Sequence, residues 1–164
     1  MGVGRRGVAL AELESLYRAR FEHFARVASA IAGDGESGRD AVQDAFASAV
    51  RRRASFRGIG PVEAWLWRIV VNEAKRLRPG RAWGSWEELP EPSSNGHAGS
   101  DDLGLQALLV SLPDRQRAAI FLRYYADLDY RTIADVLEIE VGTVSASLSA
   151  AHTTLRKALR EETR

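Results

Sequence analysis

The sequence predicts an all-α protein made of two small helical domains joined by a flexible linker. Apolar residues recur at steps of three and four along both halves, as in helices that bury one stripe. Between the halves the composition breaks: Pro79-Gly80 ends a helical stretch, and Leu89 to Ser100, LPEPSSNGHAGS, offers almost nothing to bury. The third observation is Leu112 to Leu159, where amphipathic stretches flank a short turn in a helix-turn-helix pattern. The domains are accordingly placed at residues 9–79 and 102–161, with the linker at 80–101.

In the first half, Leu10, Leu13, Tyr17, Phe21, Phe24, Ala28 and Ile31 share one helical face, and Gly33-Asp34-Gly35 stops that helix. The second helix runs from Arg39 to Arg53. Val42, Ala45, Phe46, Ala49 and Val50 point to its core, and Asp40, Gln43 and Asp44 lie outside. Pro61 starts a third helix that ends at Arg78, with Leu66, Ile69, Val70 and Leu77 on the buried side. Its other face gathers Trp65, Arg68, Asn72, Lys75 and Arg76. Trp83 and Trp86 suit either packing back on a domain or a partner contact.

In the second half, Leu112-Pro113-Asp114 opens a helix with Ile120, Phe121, Tyr124 and Tyr125 at core-facing spacing. Leu128-Asp129-Tyr130 ends it and starts another, which buries Ile133, Ala134, Val136 and Leu137. A turn at Ile139 to Gly142 follows, with glycine at the change of direction and Thr143 as the start signal of the last helix. That helix aligns Val144, Leu148, Ala151, Leu155 and Leu159 inward and Ser145, Ser149, His152 and Arg156 outward.

At 164 residues, 45% hydrophobic and 27% charged, the composition is that of a folded protein, not a disordered tail. With no cysteine there is neither a disulfide framework nor a thiolate metal site, and His23, His97 and His152 form no ligand cluster, so no metal or cofactor is expected. There is no Ser/His/Asp set and no GxxxxGK phosphate loop, so no catalytic residues are assigned. The two early arginines precede no long apolar run, and Arg68 interrupts the most apolar segment, Ala64 to Val71. A signal peptide or membrane span is therefore not expected, and a cytoplasmic location is.

Net charge is only +1, but its distribution is uneven. Residues 39–81 hold ten Arg or Lys against four acids, while residues 101–164 hold eight against ten. A helix-turn-helix is a pattern that reads double-stranded DNA, its last helix offering Ser145, Ser149, His152 and Arg156 to a major groove. The basic footprint lies upstream of it, so both halves are expected to work on one DNA. An aromatic ring, an amide and cations on one helix suit unstacked bases and backbone phosphates. The alternatives are a helical hairpin that only packs and a stand-alone helix-turn-helix regulator binding DNA by its second half.

Asp40-Ala41-Val42-Gln43-Asp44-Ala45-Phe46, Trp65-Leu66-Trp67-Arg68-Ile69-Val70-Val71-Asn72, and Leu112-Pro113 through the Thr143-Val144 helix resemble motifs of the extracytoplasmic-function (ECF) sigma factors of bacterial RNA polymerase. The resemblance covers roughly residues 9–160 in the family's order. It implies that the first domain, sigma region 2, binds the clamp helices of core polymerase and recognises and melts the minus-10 element. The second, sigma region 4, would bind the polymerase flap and read the minus-35 element of promoter DNA. An anti-sigma factor is a further partner the family suggests. Asp40, Gln43 and Asp44 match the polymerase-facing helix. Ser55-Phe56-Arg57-Gly58 matches a loop that captures a flipped base, an aromatic filling the vacated stack, and Trp65, Arg68, Asn72, Lys75 and Arg76 match the helix beside it. Tyr130, Arg131, Thr143, Ser145, Ala146, Ser147, Ser149 and His152 match minus-35 contact positions.

The sequence departs from the family on the recognition helix. Many members carry Lys or Arg where this chain has Ser145, Ser147, Ala150 and His152, which implies weaker minus-35 binding and a flatter salt dependence. Arg156, Lys157 and Arg160 remain one or two turns on.

Overall fold

The computed structural model describes residues 6–78 and 102–163, and all regular structure among them is helical. The predicted linker 80–101, with Trp83 and Trp86, lies outside the described residues. Helix α1 spans Leu10–Ala32 and stops where Gly33 enters the left-handed region, φ 101°, and donates its N–H to the Ser29 carbonyl at 2.9 Å. Helix α2, Gly35–Arg52, starts four residues before the predicted Arg39, because the Asp34 carboxylate accepts from the Ser37 N–H at 2.7 Å and caps it there. A 3-10 turn, Arg53–Ser55, leads through a loop into α3, Val62–Arg76.

These three helices enclose Leu13, Phe24, Val27, Ile31, Val42, Leu66, Trp67 and Val70, each almost fully buried. Trp67 lies at the centre, its ring 4.3 Å from that of Phe24, which in turn meets Phe46 edge-on at 5.4 Å. Leu10 and Val50, both predicted inside, are 50% and 38% exposed because they sit at helix ends beyond the reach of the neighbouring helices.

The second bundle adds a helix the periodicity did not reveal, α4 at Asp102–Ser111. Helix α5 spans Asp114–Tyr124, α6 Tyr130–Leu137 and α7 Val141–Glu162. Its core is Leu112, Ala118, Ala119, Leu122, Ile133, Val136, Val144, Leu148 and Ala151. Tyr124 and Tyr125 do not face it: at the C-terminal end of α5 they are 59% and 37% exposed, and Tyr125 stacks on Phe121 instead. The turn before α7 is also shorter than predicted. Its positive φ, 56°, falls on Glu138, whereas Gly142 lies within the first turn of α7.

Asp129 caps α6, accepting from the Thr132 N–H at 2.8 Å, and that bond holds its carboxyl below the ordinary carboxylate range. Asp129→Ala is expected to cost about 0.5–2 kcal/mol, measured by urea denaturation of the whole chain. The folded state depresses the pKa, so the contribution is full above the ordinary carboxylate value and is lost as pH falls through the folded one. The gap between wild type and variant should therefore close in acid.

The two bundles pack on each other, α1 against α5 and α3 against α6. Arg117 of α5, only 5% exposed, ties them. Its Nε donates to the Ala30 carbonyl of α1 at 2.7 Å, its guanidinium nitrogens donate to the carbonyls of Val110 and Leu112 at 2.9 and 3.0 Å, and Asp114 accepts at 2.8 Å. The other Asp114 oxygen lies 2.6 Å from an Arg78 nitrogen, an ion contact outside directed hydrogen-bond geometry. Burial pulls the Arg117 pKa down and Asp114 opposes that shift. Nearer α3, Arg68 donates through Nε and a terminal nitrogen to the Asp135 carbonyl at 3.3 and 3.0 Å, and the Arg26 guanidinium lies over the Tyr125 ring at 5.2 Å.

Candidate nucleic-acid interface

Helix α3 brings its predicted set to one side, but the members differ in what they can offer. Asn72 is exposed, Trp65 and Lys75 are partly buried, and Arg68 is turned onto α6 as described. Burial lowers the Lys75 ammonium, with Glu138 opposing from the second bundle. Arg76 belongs to a different neighbourhood: it donates to Glu73 at 2.7 and 2.9 Å and to Asp44 of α2 at 3.3 Å. Asp44 is thus an ion partner of Arg76, and the acidic-amide face and the basic face meet at this pair. Asp40 and Gln43 stay exposed on α2.

In the loop, Ser55 and Arg57 are exposed, and the Ser55 hydroxyl donates to the Arg52 carbonyl at 2.6 Å. Phe56 is not available to fill a vacated stack. It is 6% exposed, with its ring packed 5.7 Å from that of Trp65, because burying an aromatic against the core outweighs leaving it in water. The exposed apolar side chain of this loop is Ile59, 81% exposed, a residue sequence reasoning missed. Also missed was the strap before α1: the N–H groups of Gly7 and Val8 donate to the carbonyls of Phe56 and Arg53 at 2.8 and 2.9 Å and pin the loop. Gly7-Val8, a turn-permitting glycine followed by an apolar residue just before the first helix, was the available signal.

On the second bundle, Tyr130, Arg131, Ser145, Ala146 and Ser149 are exposed and Thr143 is partly so. Ser147 is 8% exposed. It lies three residues after Val144 and four before Ala151, hence on the inner stripe, and it does not face DNA. His152 is half-buried and hydrogen-bonded to Tyr124 OH at 2.9 Å. Among the described residues no group of His, Asp and Glu could hold a metal ion, and no helix is long and apolar enough to cross a membrane.

Residues 16–84 match the family described as Sigma-70 region 2 and residues 103–160 that described as Sigma-70, region 4, so fold and sequence define a two-region sigma factor. The chain is 32% identical over 152 residues to the ECF RNA polymerase sigma factor SigM of Mycobacterium tuberculosis, covering 89% of this chain and 76% of that one. It is 32% identical over 149 residues to the ECF RNA polymerase sigma-E factor of Escherichia coli, covering 79% and 77%. Among solved structures it resembles the sigma factor RpoE from Bartonella quintana, in complex with the anti-sigma factor NepR, with a TM-score of 0.75, 22% identity and coverage of 92% and 98%. The chain therefore belongs to the ECF sigma factors. It directs promoter recognition and transcription initiation, acting with RNA polymerase and promoter DNA.

Proposed function

We propose a division of labour within this sigma factor. Residues 9–79 bind the polymerase clamp helices through Asp40, Gln43 and Asp44 and melt the minus-10 element with α3 and the loop before it. Residues 102–161 bind the flap and read the minus-35 element through Tyr130, Arg131, Thr143, Ser145, Ala146 and Ser149, with His152 at the edge. The chain supplies no catalytic group, works in the cytoplasm, and takes an anti-sigma factor as its inhibitor. The observation that carries the minus-10 reading is exposed Asn72, an amide able to bond a base edge, on the helix that follows the strap-pinned loop. Extruding a base costs a few kcal/mol, which contacts from this helix and loop offset.

Asn72→Ala is expected to lower open-complex formation by about 1–3 kcal/mol and to relax base preference at one minus-10 position. Permanganate footprinting with core polymerase reads this. An equal loss on every sequence would show a phosphate contact instead. For the polymerase face, Asp40→Lys is the cleaner probe than Asp44→Lys, which would also release Arg76, and it should weaken core binding in competition without unfolding the chain.

On the recognition helix, exposed Ser145→Lys should tighten minus-35 duplex binding and steepen log K against log salt by about 0.9 per new phosphate contact. Ser147→Arg should instead destabilise the bundle, since it forces a cation onto the inner stripe. Titrations at several salt concentrations, with a thermal melt of each variant, check both.

A further inference from the structure

We propose that the strap before α1, residues 6–9, is a positioning segment for promoter melting: two of its N–H groups hold the loop between the 3-10 turn and α3 in the shape that receives an extruded base. This rests on the part in minus-10 melting proposed above for that loop. The loop, Phe56 to Pro61, has little of its own to fix it. Gly58 and Gly60 take positive φ, 76° and 73°, and the side chains of Arg57 and Ile59 are exposed. Phe56 seats one end, its ring packed against Trp65. A loop left free must surrender backbone entropy at the moment a base arrives, whereas one held beforehand does not.

The hold comes from a local turn in the strap. The Gly7 N–H donates to the Phe56 carbonyl at 2.8 Å and the Val8 N–H to the Arg53 carbonyl at 2.9 Å. Successive N–H groups of an extended strand face opposite edges, so a straight segment could not grip both carbonyls from one side. Gly7 lifts that restriction: its φ of 84° turns the two N–H groups the same way, as in the backbone concavities that successive amides form. The two carbonyls bracket the turn Arg53–Ser55 and the entry to the loop. The strap is anchored in its turn. Val8 is 5% exposed, and the Ala9 carbonyl accepts from the N–H groups of Glu12 and Leu13 at 3.1 and 3.3 Å, so the segment runs directly into α1. The loop thus takes its shape from the body of the first bundle and not from its own side chains.

Gly7→Ala tests this in the full chain. An added Cβ would stand 3.5 Å from the Arg53 oxygen and 3.7 Å from the Ala54 Cα, which is ordinary contact, so the positive φ alone disfavours alanine there. With core polymerase, Gly7→Ala should lower open-complex formation about tenfold by permanganate footprinting, the equivalent of about 1.4 kcal/mol. Core affinity and the thermal midpoint should stay near wild type. Gly7→Asn should recover most of the loss, because asparagine tolerates positive φ. The chain has no cysteine, so a nitroxide on Ile59→Cys reports on the loop alone; its spectrum in the free protein should sharpen with Gly7→Ala and broaden again with Gly7→Asn. A spectrum that Gly7→Ala leaves unchanged overturns the proposal. So does undiminished melting by Gly7→Ala when Arg57→Ala with Ile59→Ala lowers it. Undiminished melting by that loop variant as well overturns the part assigned to the loop itself.

Discussion

Arg117→Ala is expected to cost about 3–5 kcal/mol, the range for removing one partner of a buried charged set. The loss would not come from surrendered attraction alone. The carbonyls of Ala30, Val110 and Leu112 would lose their donor, and Asp114, its side chain 11% exposed, would keep only Arg78. Arg117→Met restores most of the volume and none of the hydrogen bonds, so it should recover only the packing part. Replacing the whole set, as Arg117→Met with Asp114→Leu and Arg78→Met, should recover far more, since no unpaired charge then remains buried. Urea midpoints at constant m-value read all three. If Arg117→Ala unfolds at the wild-type midpoint, water already reaches the guanidinium and the closed packing does not hold in solution.

Most of the helices were legible because three-four spacing records which side is buried, and it does so whether or not the partner is known. The periodicity missed where the burial came from ends and neighbours. Tyr124 and Tyr125 sit at the right spacing, yet α5 ends there and they meet polar side chains, His152 of α7 and Arg26 of α1, rather than an apolar core. Arg117 reads in the sequence as one more polar residue in DRQR, and nothing local reveals that Ala30, 87 positions earlier, offers it a carbonyl. The same holds for Phe56. An aromatic in a candidate base-capture loop looks like a stacking group until Trp65 is seen to pack against it. Helix α4 was hidden by its own evenness, DLGLQALLVS being apolar on more than one side.

The candidate sites divide in the same way. Residues on an outward stripe of one helix, such as Asp40, Gln43, Asn72, Ser145 and Ser149, are where helical geometry puts them. Ser147 could have been excluded by the same count, since it shares the stripe of Val144 and Ala151. The Arg76–Asp44 pair could not, because it depends on how α2 and α3 cross. What sequence spacing does not carry is the relation of one domain to the other, and that relation decides whether Arg68 is offered to DNA or occupied by Asp135.

Gly38→Ala is expected to destabilise the first bundle by about 2–3 kcal/mol, against what helix propensity alone would say. Within a helix, glycine is worse than alanine by about 1 kcal/mol, so an exposed glycine replaced there stabilises. Gly38 is buried, and α2 crosses α1 over it so closely that a Cβ would lie 2.5 Å from the Ser29 nitrogen and 2.6 Å from its Cα. Those are backbone atoms of α1 and cannot rotate away, so the helices must part. Gly33 and Asp34 alone connect them, which leaves little slack for an even separation. Gly35 provides the control, since its Cβ would meet nothing within 4 Å, and Gly35→Ala should be neutral or slightly stabilising. Thermal melts should therefore move in opposite directions, with Gly38→Ala falling by about 5–10 °C. Core-polymerase binding should weaken with it, because Asp40 and Gln43 lie two and five residues further along the displaced helix. A Gly38→Ala chain as stable as wild type would mean that the two helices cross less closely than the Ser29 contact requires.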